Sequence, residues 1–105
     1  MTEQAPEVAV VHNADLMRYE AYLDGELAGF TQYNPVGDVL VFDHTETSPE
    51  FGGRGVGSAL VRGALDAVAA EGGRRVEPTC TFVSGWIDGH PDYHHLLRST
   101  QPPVA

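Results

Sequence analysis

The sequence predicts an α/β fold. Its N-terminal half reads as an antiparallel meander and its C-terminal half as a strand–helix–strand unit, with two to three helices in all. Three observations carry this. Asp24-Gly25 separates two segments of alternating apolar and polar residues, and such a pair marks a type I′ hairpin, which needs positive φ at both central residues. Residues 39–42 (VLVF) are apolar and rich in β-branched types, the composition of a strand buried on both faces. Gly52, Gly53, Gly55 and Gly57 then crowd together just before an amphipathic stretch that runs to Glu71, so the chain turns sharply into a long helix.

The elements follow in order. Residues 1–7 are polar, contain a proline and are expected to be a disordered tail. Val8 to Val11 make a first strand, Asn13-Ala14-Asp15 a turn, and residues 16–23 a second strand. Residues 26–33 return as a third, with Asn34-Pro35 and Gly37-Asp38 punctuating the next turn, and strand four spans 39–47. The helix, over 54–71, places Val56, Leu60, Ala64 and Ala67 or Val68 on one stripe with Val61 and Leu65 beside it. Gly72-Gly73 ends it. Arg74 to Glu77 form a strand stopped by Pro78, parallel to strand four because a crossover helix joins the two. Thr79 or Thr81 caps a second helix that buries Phe82, Val83, Trp86 and Ile87. Gly89 and Pro91 lead into a last helical turn with Tyr93, Leu96 and Leu97 inward, and 98–105 is a flexible tail. The domain therefore spans 8–97.

Composition bounds the function. The 105 residues suffice for one domain, which buries roughly two-thirds of its unfolded surface. The formal charge of −9 repels nucleic acid and anionic membranes and favours basic partners. No apolar run nears the roughly 20 residues of a membrane span, and MTEQAPE is not a secretion signal. The single Cys80 forms no internal disulfide, which fits a reducing cytoplasm. A monomer is the expected state. All six basic residues are Arg, so the chain has no lysine of its own to acylate.

The glycine turn admits several readings. It can be a plain tight loop. A P-loop is excluded because no Gly-Lys-Ser/Thr follows. A dinucleotide fingerprint is disfavoured because the turn from Thr47 to Gly52 is long and the preceding strands are antiparallel. An anion cradle fits best: free amides at a helix start carry partial positive charge and bind phosphates.

The run Gly52-Gly53-Arg54-Gly55-Val56-Gly57 resembles the acyl-CoA loop of the GNAT superfamily of N-acetyltransferases, Gln/Arg-x-x-Gly-x-Gly/Ala, with Gly52 where the family has Arg or Gln. Together with His44-Thr45-Glu46, Pro78-Thr79-Cys80 and His90-Pro91-Asp92-Tyr93, it makes residues 8–97 similar to the short single-domain YjdJ-type subfamily. The resemblance implies a sheet splayed between strands four and five, acetyl-CoA as donor and coenzyme A as product. It also implies transfer of acetyl to a primary amine, whether a protein lysine, an N-terminus or a small amine. The cofactor-binding set it implies is Thr47, Ser48, Gly52, Gly53, Arg54, Gly55, Val56, Gly57 and Ser58, with His90 and Tyr93 either fixing the C-terminal segment against the groove or simply packing. A CoA-binding module or sensor without turnover is the competing function.

Two residues stand out as catalytic. Cys80 lies where a helix begins, which lowers a thiol pKa; it either accepts acetyl transiently or lines the acetyl pocket. A buried structural thiol is the plain alternative. Glu46, with His44, alternates onto the face of Leu40 and Phe42 and is the candidate general base; the plain alternative is a solvated strand end. A metal site among His90, Asp92, His94 and His95 is not expected, because Pro91 starts a new turn and breaks the ligand spacing.

Overall fold

Residues 8–51 and 55–97 are described by a computed structural model. Four consecutive strands, β1 (Val8–Asn13), β2 (Arg18–Leu23), β3 (Glu26–Val36) and β4 (Val39–Thr47), lie side by side and antiparallel. After them come helix α1 (Val56–Glu71), strand β5 (Arg75–Pro78) and helix α2 (Thr81–Asp88). β5 runs parallel to β4 at the end of the five-stranded sheet. Short 3-10 turns occupy Pro49–Phe51 and Pro91–Leu96. The meander and the strand–helix–strand unit are thus as the sequence predicts. The expected tails, 1–7 and 98–105, lie outside the described residues.

The hairpin at Asp24-Gly25 has φ of 54° and 82°, the left-handed pair that a type I′ turn demands. Strand boundaries differ from expectation where pairing outweighs local chemistry. β3 runs on through Asn34-Pro35 to Val36, and only Gly37-Asp38 turns. β2 stops pairing at Arg18↔Gln32, so Pro35 stands at a free edge, where its missing N–H costs no ladder bond. Similarly, β1 extends to Asn13 and β2 starts at Arg18, leaving Leu16 and Met17 exposed in the turn.

α1 lies across β1, β2, β3 and β4. Its buried face is Val56, Leu60, Val61, Ala64, Leu65 and Val68, so Val68 rather than Ala67 completes the stripe. Helix and sheet approach closely at Gly63, where an added Cβ would stand 2.7 Å from a methyl carbon of Val10. Gly63→Ala is therefore expected to cost about 1–3 kcal/mol through overpacking, read as a lower midpoint in urea with an unchanged slope.

The feature that positions the site is the way β4 leaves β5. The two strands pair only from Val39↔Arg75 to Phe42↔Pro78. The Phe42 carbonyl accepts from the amides of Thr79 (3.0 Å) and Cys80 (2.9 Å). Beyond it the chain after β5 turns away into α2, and a gap opens along the rest of β4.

At that point the register of β4 against β3 shifts by one residue, Tyr33 facing Phe42 and Gln32 facing His44, so Asp43 is a bulge. A bulge exchanges the faces of everything after it. Before it, the polar backbone of Phe42 faces β5. After it, Ser48 donates to Ala28 of β3 at 2.8 Å, so the even-numbered residues now face β3. By the same alternation Thr45 and Thr47 turn their N–H and C=O groups into the gap.

Candidate functional site

A cleft of about 370 Å³ lies at this gap, lined by Thr45 and Thr47 of β4, Phe51, the start of α1 from Gly55 to Ser58, and Phe82 of α2. Its size is that of a small-molecule site. Gly55 adopts the left-handed conformation, φ 74°, and caps α1 with no side-chain bond. Among the described residues the first hydrogen bond along the helix is from Ala59 to Gly55 at 3.0 Å, and the amides before it have no intrahelical partner there. Val56 is buried and anchors this end. At Gly57 a Cβ would stand 2.7 Å from the Phe82 ring; its absence lets that ring lie over the helix start. Phe82 is 46% exposed. The expected burial of this side chain is therefore corrected: it forms a wall of the cleft.

The sequence-predicted residues divide. Thr47, Gly55, Val56, Gly57 and Ser58 line the cleft. Gly52, Gly53 and Arg54 lie outside the described residues. Ser48 spends its amide on Ala28 and lines a separate hollow with Glu46, Thr47 and Gly29. His90 and Tyr93 do not line the cleft. They join an aromatic cluster in which His90 stacks on Trp86 at 3.8 Å and Tyr93 meets it edge-on. Arg62 lies over the Trp86 and Tyr93 rings, and Tyr93 donates to Asp66 at 2.7 Å. The cluster reaches the cleft at one point, where Trp86 Nε1 donates to Ser58 Oγ at 2.9 Å.

Cys80 is the N-cap of α2, in extended conformation; neither expected threonine caps it. Thr79 instead points its hydroxyl at the Phe42 carbonyl, at 3.3 Å. Cys80 Sγ lies 3.4 Å from Thr45 Oγ1, and Thr45 hydrogen-bonds in turn to the fully buried Thr31 at 2.9 Å. Burial pushes the thiol up. The Thr45 hydroxyl and the amides of Val83 and Phe82, directed at the sulfur without closing a cap bond, outweigh it and leave the pKa below its ordinary value.

Glu46 does not share a face with Phe42. The bulge at Asp43 sends His44 and Glu46 to the opposite side of the sheet, where their side chains are 51% and 62% exposed and bond to each other at 2.9 Å. In their place the bulge brings Thr45 to the cleft, a residue named in the sequence only as part of His44-Thr45-Glu46 and given no role there; the register of β3 against β4 reveals it.

The C-terminal histidines are taken up by carbonyls. His90 pairs with Trp86 O, His94 with Ile87 O and His95 with Asp92 O. Among the described residues no three His, Cys, Asp or Glu side chains are grouped to hold a metal, and no helix is long and apolar enough to cross a membrane.

The cleft therefore combines a helix start that attracts anions and a strand with unpaired backbone groups; Cys80 does not itself line it but contacts its Thr45 wall. A family model described as GCN5-related N-acetyl-transferase matches residues 18–96, a span that includes all of these features. No curated protein matches the chain.

Proposed function

The chain belongs to the GCN5-related N-acetyltransferase family, and from that premise we propose that it moves an acetyl group from acetyl-CoA to a primary amine. One observation carries the reading: the start of α1 and the unpaired backbone of Thr45 and Thr47 face the same cleft. The diphosphate of coenzyme A suits the free amides before Ala59. The thioester carbonyl suits the N–H groups in the gap, which stabilise negative charge as it develops on oxygen.

In this reading the Cys80 thiolate attacks the acetyl carbon, the bond to the CoA sulfur breaks, and the departing thiolate takes up a proton. The amine then attacks the Cys80 thioester and the cysteine sulfur leaves. The nitrogen gives up its proton to water as the new amide forms; Glu46, bonded to His44 on the outer face of the sheet, stands away from the cleft and is not assigned this step. The acceptor is a protein lysine, an N-terminus or a small amine, and the charge of −9 draws cationic ones. The lone thiol suits a reducing compartment, and we place the protein in the cytoplasm.

Thermal unfolding with coenzyme A tests the binding step. At a hundred-fold excess over Kd the ligand stabilises by about 2.7 kcal/mol, a rise in Tm of roughly 10–20 °C. An unchanged Tm ends the proposal. Release of free CoA thiol with a panel of peptides and polyamines tests transfer; CoA binding without release on any acceptor leaves a CoA-binding module instead.

A further inference from the structure

We propose that the far end of the sheet holds a second binding site, for a small carboxylate with an apolar body. A cavity of about 210 Å³ lies under the first hairpin, between β1, β2, β3, the start of β4 and the C-terminal end of α1. At its heart is Tyr19, which is 2% exposed. Its hydroxyl hydrogen-bonds to no described residue, although every fully enclosed side-chain oxygen and nitrogen among the described residues has a partner. The phenol therefore opens into the cavity. The neighbouring phenol is occupied: Tyr33 Oη lies 2.6 Å from His12 Nε2. His12 also stacks on the Tyr19 ring at 4.3 Å, so the hydroxyl is held in one direction.

What this group offers is a donor. Burial pushes its pKa up to about 12, so the proton stays in place throughout the physiological range. Among the described residues Arg74 is the one arginine lining the cavity, and Glu71 lines it beside Arg74. The arginine is held loosely, its Nε 3.6 Å from Glu71 Oε1, too far for a hydrogen bond. A phenol hydrogen and a guanidinium on one cavity recognise a carboxylate. The remaining wall, formed by Met17, Pro35 and Leu40, recognises an apolar body. The volume is below the roughly 300 Å³ at which drug-sized sites begin, so the occupant is a fragment about the size of benzoate.

This site is separate from the acyl cleft. Leu40 lines the one and Thr45 the other; they pair with Pro35 and Thr31, and four residues of β3 at ~3.3 Å each set them about 13 Å apart. A ligand here cannot receive the acetyl group, and the inference stands whether or not the chain is a transferase.

Titration of the intact chain with benzoate, followed by amide NMR, tests it. Shifts are expected in the first hairpin and in the last turn of α1, with millimolar affinity. Tyr19→Phe, which keeps the ring, should weaken binding roughly fivefold or more, and Arg74→Gln, on the surface, should do the same. Glu71→Gln should strengthen it, because it removes a repelling charge. Absence of shifts at this end, or affinity unmoved by Tyr19→Phe and Arg74→Gln, overturns the site. Benzylamine binding more tightly than benzoate, or weaker benzoate binding in Glu71→Gln, overturns the carboxylate.

Discussion

Cys80→Ser is expected to lower acetyl transfer about a hundredfold or more while acetyl-CoA still raises the Tm as it does in the wild type. The thiol touches Thr45 at the cleft, whereas the groups assigned to the diphosphate lie on α1, so the substitution removes chemistry and leaves the anchor. A serine hydroxyl at this position is a far weaker nucleophile, since nothing beside it draws off its proton. Intact-mass analysis after incubation with acetyl-CoA should show one acetyl group on the wild type and none on Cys80→Ser. Full activity in the variant, with no adduct on the wild type, removes the nucleophile role. The reactivity of the thiol gives a second readout. Its pKa is lowered in the fold, so at neutral pH iodoacetamide should modify it faster than it modifies the unfolded chain. The linkage has a definite sign: a depressed folded pKa means that stability rises with pH from the folded value toward the ordinary one near ~8.5. Thr45→Val should slow alkylation by removing the hydroxyl.

The element types and their order could be read from the chain because they rest on local chemistry. Asp24-Gly25 turns the chain wherever two strands flank it, and the apolar stripe of α1 repeats at the helical period whatever it packs on. Three things could not be read. The bulge at Asp43 is one residue long and has no glycine or proline to mark it; it exists because β3 and β4 must align on both sides of it. It misled the reading of Glu46 and His44, since a single inserted residue reverses every side chain after it. Phe82 fits the apolar face of a short helix, but Gly57 opposite it has no side chain, and the ring turns to the cleft instead. The cavity beneath Tyr19 draws on β1, β2, β3, β4 and α1 at once, which no local pattern announces.

The site was partly legible for a related reason. Glycine density and a helix start locate an anion cradle in sequence, but the groups that face the gap are backbone groups, and their direction depends on strand register. Thr45 and Thr47 differ from Ser48 in nothing that composition can detect. The difference is that Ser48 is spent on Ala28 while its neighbours are not. His90 and Tyr93, expected to fix the C-terminal segment against the groove, commit their rings to Trp86 and Arg62 instead, and it is Trp86 that reaches the helix start through Ser58.

Phe42→Ala is expected to be the most damaging single change in the described core, at about 3–5 kcal/mol. The ring is 1% exposed and touches Tyr19 and Tyr33, with centroids 6.2 and 5.8 Å away. Removing it empties space between the sheet and α1 that these stiff neighbours cannot fill. For a chain of this size the loss is a fall in Tm of roughly 12–40 °C, a large part of the 5–15 kcal/mol that such domains hold. The residue also has a backbone task. Its carbonyl receives both Thr79 and Cys80, and the bulge follows directly, so its packing fixes where β4 parts from β5. Phe42→Leu keeps an apolar side chain and should fold with less than half the penalty. In that variant coenzyme A should bind more weakly than in Gly63→Ala of matched stability, because only the former lies at the mouth of the gap. Equal binding in the two would mean that the packing of Phe42 supports the sheet alone and leaves the gap to set itself.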